Sequence, residues 1–208
     1  MQRALIVILL VLCPVIVSAK TVLVLGDSLS AAYNMKLEAG WVHLLSERLG
    51  PNHQVINASI SGDTTAGGVN RLPAALKKHR PDIVILELGA NDGLRGLSLT
   101  QMKRNLSKMI ELSQISGAKV ILAAMHLPPN YGDLYNSKFH NVYTELKREH
   151  NIVLIPFLLD QVGGVDDMIQ ADGLHPNEKA QPIILTNVWG QLRKLLDVQK
   201  VSLENTQL

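Results

Sequence analysis

The chain has 208 residues, 47% of them hydrophobic, which is enough for one domain with a substantial core. Its formal net charge is only +2, and it has no basic block and no aromatic-basic stripe, which argues against nucleic acid as a partner. The only cysteine is Cys13, so a chain shortened past that residue has no disulfide to stabilise it.

The first nineteen residues have the pattern of an export signal. A positive charge at Arg3 precedes an apolar run from Ala4 to Val17, and small residues follow at Ser18 and Ala19. The run is shorter than the ~20 residues that a membrane-spanning helix needs, so a retained anchor is disfavoured. Cleavage after Ala19 is therefore predicted, with no membrane insertion afterwards.

With this cleavage site, the sequence is predicted to have three parts. Residues 1–19 are the signal peptide, residues 20–197 form one domain, and residues 198–208 form a flexible, mostly polar tail. Lipidation at Cys13 is disfavoured, because Leu12 rather than a small residue precedes it and Pro14 follows it.

Five short apolar runs follow in chain order, and they are typical of strands buried on both faces of a parallel sheet. They are Thr21–Leu25, Gln54–Asn57, Ile83–Leu88, Lys119–Ala124 and Ile152–Ile155. Segments with helical periodicity lie between and after them: Gly40–Leu49, Thr64–Val69, Pro73–His79, Leu99–Ser116, Asp133–His150 and Asn177–Leu196. We expect Pro73 to interrupt the second helical segment and open a new helix, and Thr100 to cap the helix that begins near Leu99.

The alternation of strands and helices predicts a three-layer α/β domain with right-handed crossovers. In such sheets, active residues lie past the carboxyl ends of the strands. Ser28 follows the first predicted strand, Ser59–Gly62 follows the second, and Asn91 follows the third. The most informative polar residues of the chain therefore fall where a site is expected.

Ser28, within Gly26-Asp27-Ser28-Leu29-Ser30, is the candidate nucleophile. It stands where a strand should turn into a helix, so its hydroxyl would be exposed near the positive end of that helix. The flanking residues do not form Gly-x-Ser-x-Gly, which excludes the usual α/β-hydrolase elbow. A helix N-cap serine would have the same local sequence, and this motif alone does not separate the two interpretations.

His175 is the candidate base, within Asp172-Gly173-Leu174-His175-Pro176. Asp172 is close enough in sequence to hold one imidazole nitrogen while the other faces Ser28. Such a carboxylate orients the ring and stabilises the imidazolium that forms when histidine takes the serine proton. A surface turn with an incidental histidine is the alternative interpretation.

Gly62 and Asn91 are candidate oxyanion donors beside the backbone N–H of Ser28. A glycine N–H allows close approach, and an asparagine amide adds a second donor; each such donor contributes about 10²–10³ in rate. A turn glycine and an ordinary loop asparagine are the alternatives. No metal-ligand spacing and no phosphate-binding glycine motif occurs in the sequence, so we predict neither a metal nor a cofactor.

Four short motifs, taken together and in this order, resemble the blocks of the SGNH (GDSL) hydrolase superfamily. They are Gly26–Ser30, Ser61–Asp63, Gly89–Asp92 and Asp172–Pro176. The chain is most similar to its periplasmic acyl-CoA thioesterase I / lysophospholipase / arylesterase group, through Asn57–Thr64, Glu87–Gly96, Leu127–Gly132 and Asp172–Asn177. This resemblance implies a flavodoxin-like α/β/α fold with a five-stranded parallel sheet in the order 2-1-3-4-5. It also implies a cofactor-free, periplasmic serine hydrolase with a Ser28-His175-Asp172 triad.

The implied substrates are small acyl esters and thioesters or lysophospholipids, cleaved through an acyl-enzyme. The segment Asp92–Leu97 carries two glycines and could close over an acyl chain, with Leu94 and Leu97 in apolar contact. Pro128 and Tyr131 could line the same groove. Asp27, beside the nucleophile, is a further candidate for substrate binding.

Two departures from the family pattern bear on acyl-chain preference rather than on catalysis. His126 stands where a different polar residue is expected, and Gly67-Gly68 predicts a looser segment after the second motif. Two other functions stay open. One is deacetylation of a carbohydrate by the same residues, and the other is a binding protein without catalysis. No long exposed apolar stripe demands a partner, so we expect a monomer.

Overall fold

The structure, a computed structural model, describes residues 19–196. The predicted signal peptide, apart from Ala19, and the predicted tail at residues 198–208 lie outside the described residues, and both stay predictions. In the part of the chain that the structure describes, no helix has the length and apolar character needed to cross a membrane.

Five parallel strands form the centre of the domain, in the predicted order β2-β1-β3-β4-β5. They are β1 (Thr21–Gly26), β2 (Gln54–Asn57), β3 (Ile83–Glu87), β4 (Lys119–Ala123) and β5 (Val153–Ile155). All of β3, and β1 after its first residue, are buried, because helices cover both faces of the sheet. The predicted fold class and strand order are confirmed.

Six α-helices are present among residues 19–196. They are α1 (Trp41–Leu49), α2 (Thr65–His79), α3 (Ala90–Leu94), α4 (Leu99–Ile115), α5 (Asp133–His150) and α6 (Gln181–Leu196). Helix α1 packs against α6, while α4 packs against both α2 and α5. These two groups of helices form the outer layers, and their buried side chains meet those of the sheet in one continuous core.

The chain enters β1 at the amino edge of the sheet. The backbone N–H of Lys20 donates to Nδ1 of His53 at 3.2 Å, and the N–H of Thr21 donates to Asp82 at 2.8 Å. Because all five strands are parallel, this edge lies opposite the edge where the strands end.

Helix α2 is continuous through Pro73, so the prediction of two helices is wrong. Leu72 and Leu76 are buried and hold this stretch against the core, whereas Pro73 faces solvent. On the solvent side, water can satisfy the carbonyl that the missing proline N–H leaves free, so the ring costs less than in a buried turn.

The glycine pair in α2 permits close packing, and the expectation of a looser segment is wrong. A Cβ atom on Gly68 would collide with the side chain of Leu88 and lie 2.9 Å from the sulfur of Met109. The absence of a side chain therefore allows α2 to sit directly on the end of β3 and on α4.

The predicted cap of α4 is also corrected. Ser98, and not Thr100, precedes the first helical residue, and its hydroxyl accepts the N–H of Gln101 at 3.3 Å. Ser98 has the extended backbone of an N-cap, whereas Thr100 is already inside the first turn.

Candidate active site

The carboxyl ends of β1, β2 and β3 bring Ser28, Gly62 and Asn91 to one edge of the sheet. Strand β1 lies between β2 and β3, so the segment with Ser28 lies between the other two motifs. The long connection from β5 to α6 returns to the same edge and carries Asp172 and His175.

Ser28, His175 and Asp172 form a continuous hydrogen-bonded chain. His175 Nε2 is 2.9 Å from Ser28 Oγ, and His175 Nδ1 is 2.7 Å from Asp172 Oδ2. The other carboxylate oxygen, Oδ1, accepts the backbone N–H groups of Leu174 at 2.9 Å and His175 at 3.0 Å. This arrangement can withdraw a proton from the serine hydroxyl and stabilise the resulting imidazolium.

The charge on Asp172 is stabilised locally. Slight burial acts to raise the pKa of Asp172, but other effects outweigh it. The carboxylate accepts hydrogen bonds from the N–H groups of His175 and Leu174 and from the imidazole, and it is attracted to that ring. Together these interactions lower the pKa of Asp172 to about 2. The carboxyl group is therefore an anion at neutral pH, as an orienting partner of a histidine must be.

A glycine turn and a side-chain clamp hold the histidine loop. Gly173 has φ +72°, a left-handed conformation that lets the chain fold Leu174 and His175 back over the carboxylate of Asp172. Gln170 Nε2 donates to the carbonyls of Pro176 at 2.9 Å and Tyr33 at 3.0 Å, which ties this loop to the segment after Ser28. Sequence reasoning missed Gln170, because nothing local marks a contact that joins residues so far apart in the chain.

Three hydrogen-bond donors converge beside Ser28. The backbone N–H groups of Ser28 and Gly62 donate to no acceptor among residues 19–196. The amide nitrogen of Asn91 donates one hydrogen to Asp27 Oδ2 at 3.0 Å, which leaves its second hydrogen available. Arg95 donates to the carbonyl of Gly62 at 2.8 Å and lies 3.4 Å from the amide oxygen of Asn91, so it links two of the donors. Such a set can stabilise an oxyanion.

A cavity of about 610 Å³ opens next to these donors. Its wall includes Ser28, Gly62, Asn91 and His175. Much of the remaining wall is apolar and is formed by Leu94, Leu127, Pro128, Phe157, Leu159 and Ile169. Its size and lining are typical of a site for a small, partly apolar ligand.

The GDSL-like Lipase/Acylhydrolase family model matches residues 24–182 of the chain, which contain all of these site residues. The chain belongs to this family.

Three named proteins are similar to most of the chain. They are Esterase TesA of Pseudomonas aeruginosa (50% identical), an Arylesterase of Vibrio mimicus (46%) and Thioesterase 1/protease 1/lysophospholipase L1 of Escherichia coli (42%). Each alignment covers 86% of this chain and, respectively, 90%, 91% and 86% of the relative.

Two solved structures share the fold closely. The crystal structure of TesA is 49% identical, covers 85% of this chain and 99% of its own, and superposes with a TM-score of 0.83. The psychrotrophic esterase EstA from Pseudoalteromonas, in a structure inhibited by monoethylphosphonate, is 41% identical, covers 86% and 99%, and has a TM-score of 0.81.

The five predicted substrate-binding residues of this GDSL protein lie at different positions relative to the cavity. Asp27, Leu94 and Pro128 line the cavity. Leu97 is not part of the cavity wall, and 45% of its surface is exposed. Tyr131 supports the wall from behind, because its hydroxyl donates to the carbonyl of Leu94 at 2.9 Å.

The segment Asp92–Leu97 begins as the last part of α3 and is anchored at several points. Asp92 is buried and accepts the N–H and the hydroxyl of Thr65 at 2.9 and 2.6 Å. A Cβ atom on Gly93 would lie 2.7 Å from Phe139, so this glycine is needed for packing. Gly96, with φ +63° and open space around it, is the point of greater backbone freedom. Closure over a substrate stays a hypothesis.

His126, which is predicted to depart from the family pattern, lies in the cavity wall. Its ring stacks on His140 at a centroid distance of 3.9 Å and meets Phe157 edge-on at 4.8 Å. Partial burial, with repulsion from His140, lowers the pKa of His126. Among residues 19–196 no group of three or more His, Cys, Asp and Glu side chains is arranged to hold a metal ion.

Two buried carboxyl groups lie behind the site. Burial raises the pKa of Asp27 to about 6, although the N–H of Leu29 and the amide of Asn91 oppose the rise. Glu87, at the end of β3, is fully buried, and this burial with the neighbouring charge of Asp27 raises its pKa well above the usual value. Sequence reasoning missed Glu87; the available signal was a charged residue inside an otherwise apolar strand.

Proposed function

We propose that the protein is a serine hydrolase that cleaves carboxylic esters and thioesters through an acyl-enzyme. The observation that carries this proposal is the hydrogen-bonded chain from Ser28 through His175 to Asp172, beside three convergent donors. The names of the similar relatives, which include esterase, arylesterase, thioesterase and lysophospholipase, support the same reaction class.

The first half-reaction transfers the acyl group to the enzyme. His175 Nε2 takes the proton of Ser28 as Oγ attacks the carbonyl carbon, and the carbonyl oxygen becomes an oxyanion. The N–H groups of Ser28 and Gly62 and the amide of Asn91 donate to this oxygen. His175 then gives its proton to the leaving alcohol or thiol as the bond to it breaks.

The second half-reaction regenerates the enzyme. Water enters the position of the leaving group, His175 takes one of its protons, and the hydroxide attacks the acyl-serine. Collapse of the second tetrahedral intermediate releases the carboxylic acid and returns the proton to Ser28 Oγ. One acyl-enzyme serves esters and thioesters alike, because only the leaving group differs.

The apolar part of the cavity is the proposed site for the acyl chain. Leu94 and Pro128 would contact it directly, and Tyr131 would hold Leu94 in place. We assign Asp27 to positioning Asn91 rather than to substrate contact, because its side chain is 1% exposed. Leu97 would reach substrate only if the segment Asp92–Leu97 moved.

We propose that the protein is exported to the periplasm after cleavage between Ala19 and Lys20, and that it acts there as a monomer. Intact mass of the protein from a periplasmic fraction would test the junction, and light scattering would test the oligomeric state.

The deciding experiment uses p-nitrophenyl esters from acetyl to palmitoyl, together with palmitoyl-CoA. We expect residues 20–208 to hydrolyse the longer acyl chains, and Ser28→Ala to lose nearly all turnover. Ser137→Ala, an exposed serine in α5, is the matched control and should behave like the wild type. A fluorophosphonate should label the wild type and not Ser28→Ala.

Other results would redirect the assignment. Activity confined to acetyl esters would favour a carbohydrate deacetylase. No hydrolysis and no fluorophosphonate labelling would leave a binding protein without catalysis.

A further inference from the structure

Glu87 and Asp27 form a buried pair of carboxyl groups directly behind Asn91. The side chains lie within hydrogen-bonding reach of each other, and only 1% of Asp27 and none of Glu87 is exposed. Asp27 in turn accepts the amide of Asn91. Two adjacent buried anions would repel each other strongly and lack solvation, so the pair is expected to hold one proton.

The hydrogen bonds around the pair indicate which residue holds that proton. Both oxygens of Asp27 already accept donors, from the N–H of Leu29 at 3.1 Å and from Asn91 at 3.0 Å, as an anion would. In Glu87, Oε2 accepts the Ser30 hydroxyl at 2.7 Å and the N–H of Asp27 at 3.2 Å.

The second oxygen of Glu87, Oε1, is buried and has no hydrogen-bond partner among residues 19–196. A buried carboxylate oxygen without a donor is costly, whereas a protonated one can donate. The neighbouring carboxylate of Asp27 is the acceptor that the site provides.

We propose that Glu87 is a positioning residue of the active site, a neutral acid that donates its proton to Asp27 and thereby fixes the amide of Asn91. This inference rests on the proposed hydrolase function. If Asp27 took up the proton, it could donate to the amide oxygen of Asn91, and a flipped amide would turn its oxygen towards the oxyanion. Glu87 prevents this by keeping Asp27 an acceptor.

The electrostatic surroundings agree with a proton on Glu87. Burial, and then the charge of Asp27, raise the pKa of Glu87 well above its usual value. Burial also raises the pKa of Asp27, but the hydrogen bonds from Leu29 and Asn91 limit that rise to about 6, so Asp27 is the ionised member of the pair at neutral pH. The fully buried phenol of Tyr143, whose pKa burial raises, also lies near the pair, and the carboxyl of Asp92 lies near Tyr143. No cation from these elements contacts Glu87 among the described residues.

Two substitutions at position 87 distinguish the effect of the proton from the effect of the side-chain shape. Glu87→Gln mimics the neutral acid, since its oxygen can accept from Ser30 and its amide can donate to Asp27. Glu87→Leu removes both functions. We expect kcat of Glu87→Gln to stay near the wild-type value. We expect kcat of Glu87→Leu to fall about 10-fold to 10²-fold at nearly constant KM, because this substitution can cost at most the contribution of one oxyanion donor.

A double-mutant cycle tests whether the effect passes through Asn91. In an Asn91→Ala background, Glu87→Leu should cause little further loss, because the donor that it positions is already absent. A full additional loss would overturn the proposal and leave Glu87 a purely structural residue. An equal fall of kcat in Glu87→Gln and Glu87→Leu would also overturn it.

The proton can be detected without any turnover. At neutral pH, the infrared spectrum of the wild type should contain the C=O band of a protonated carboxylic acid, and Glu87→Gln should lack it. No difference between the two spectra would overturn the proposal, even if Glu87→Leu failed to fold. A wild type that hydrolyses no ester but retains this band would instead reject the proposed function and leave the proton assignment standing.

Discussion

Asp172 has two partners in the candidate site, the histidine ring and the backbone of its own turn. An asparagine at this position would present an N–H group to Nδ1 and favour the tautomer with the proton on the wrong nitrogen of His175. We expect Asp172→Asn to lower kcat about 10⁴-fold, as in a triad that keeps its geometry and loses its tautomer.

Steady-state kinetics on a p-nitrophenyl ester measure this loss. Asp160→Asn changes an exposed acid in the same connection between β5 and α6 and should have no effect. A loss of less than tenfold in Asp172→Asn would mean that the carboxylate does not orient the histidine.

Glu87 should also make stability depend on pH. Below the ordinary glutamate pKa of 4.5, the folded and the unfolded chains both hold the proton. Above it, the unfolded chain releases the proton while the folded chain keeps it, so the free energy of unfolding falls as pH rises towards the raised pKa. The slope expected from the proton of Glu87 alone is about 1.4 kcal/mol per pH unit.

Urea denaturation at a series of pH values checks this, with Glu87→Gln as the comparison. The wild type should lose stability relative to Glu87→Gln as the pH rises above the ordinary glutamate pKa of 4.5. Parallel stability profiles for the two proteins would show that Glu87 is already ionised in the folded state.

Helix α2 is held at a distance that admits no side chain at position 68. Gly68→Ala should lower the free energy of unfolding by about 1–3 kcal/mol, because the new methyl group must displace Leu88 or Met109. Gly190→Ala is the matched control: it lies in α6, and apart from the neighbouring backbone of that helix no atom lies within 4 Å of the place that its methyl group would take. This control should stabilise the protein by about 0.5–1 kcal/mol.

Urea unfolding of the two variants measures both effects. If the Gly68→Ala variant were as stable as the wild type, α2 would be able to move away from β3 without cost.

Elements with a strong local pattern were predictable, and contacts between elements were not. The strand pattern predicts each strand to within one residue. For β1, β3 and β4 the reason is that buried parallel strands need an apolar residue at nearly every position. The prediction of a helix break at Pro73 is wrong because the burial of Leu72 and Leu76 outweighs the cost of a proline inside the helix. Ser98 and Thr100 are both good caps, and only the start of α4 decides between them.

The same distinction between local patterns and distant contacts applies to the residues of the site. Ser28, Gly62, Asn91 and His175 stand in short motifs, so the sequence predicts them. Glu87 and Gln170 act through partners that are distant in the chain, and no local spacing encodes those contacts.

Across the whole molecule, the residues of the site come from separate parts of the chain and meet only because parallel strands end at a common edge. The sheet carries the core, and the loops at this edge carry the polar groups. A change in the cavity wall, for example at His126 or Leu94, can therefore alter the fit of a substrate with little effect on the core.

The entry of the chain at Lys20 has a practical consequence for attachment to a surface. Strand β1 spans six residues, or roughly 20 Å at about 3.3 Å per residue, and separates this point from the segment with Ser28. A fluorescent protein or a resin linker joined at Lys20 would sit on the far edge from the cavity. We expect such an immobilised enzyme to keep the kcat/KM of the free protein on p-nitrophenyl esters. A large decrease in kcat/KM would show that the tether reaches the opposite edge of the sheet, where the cavity lies.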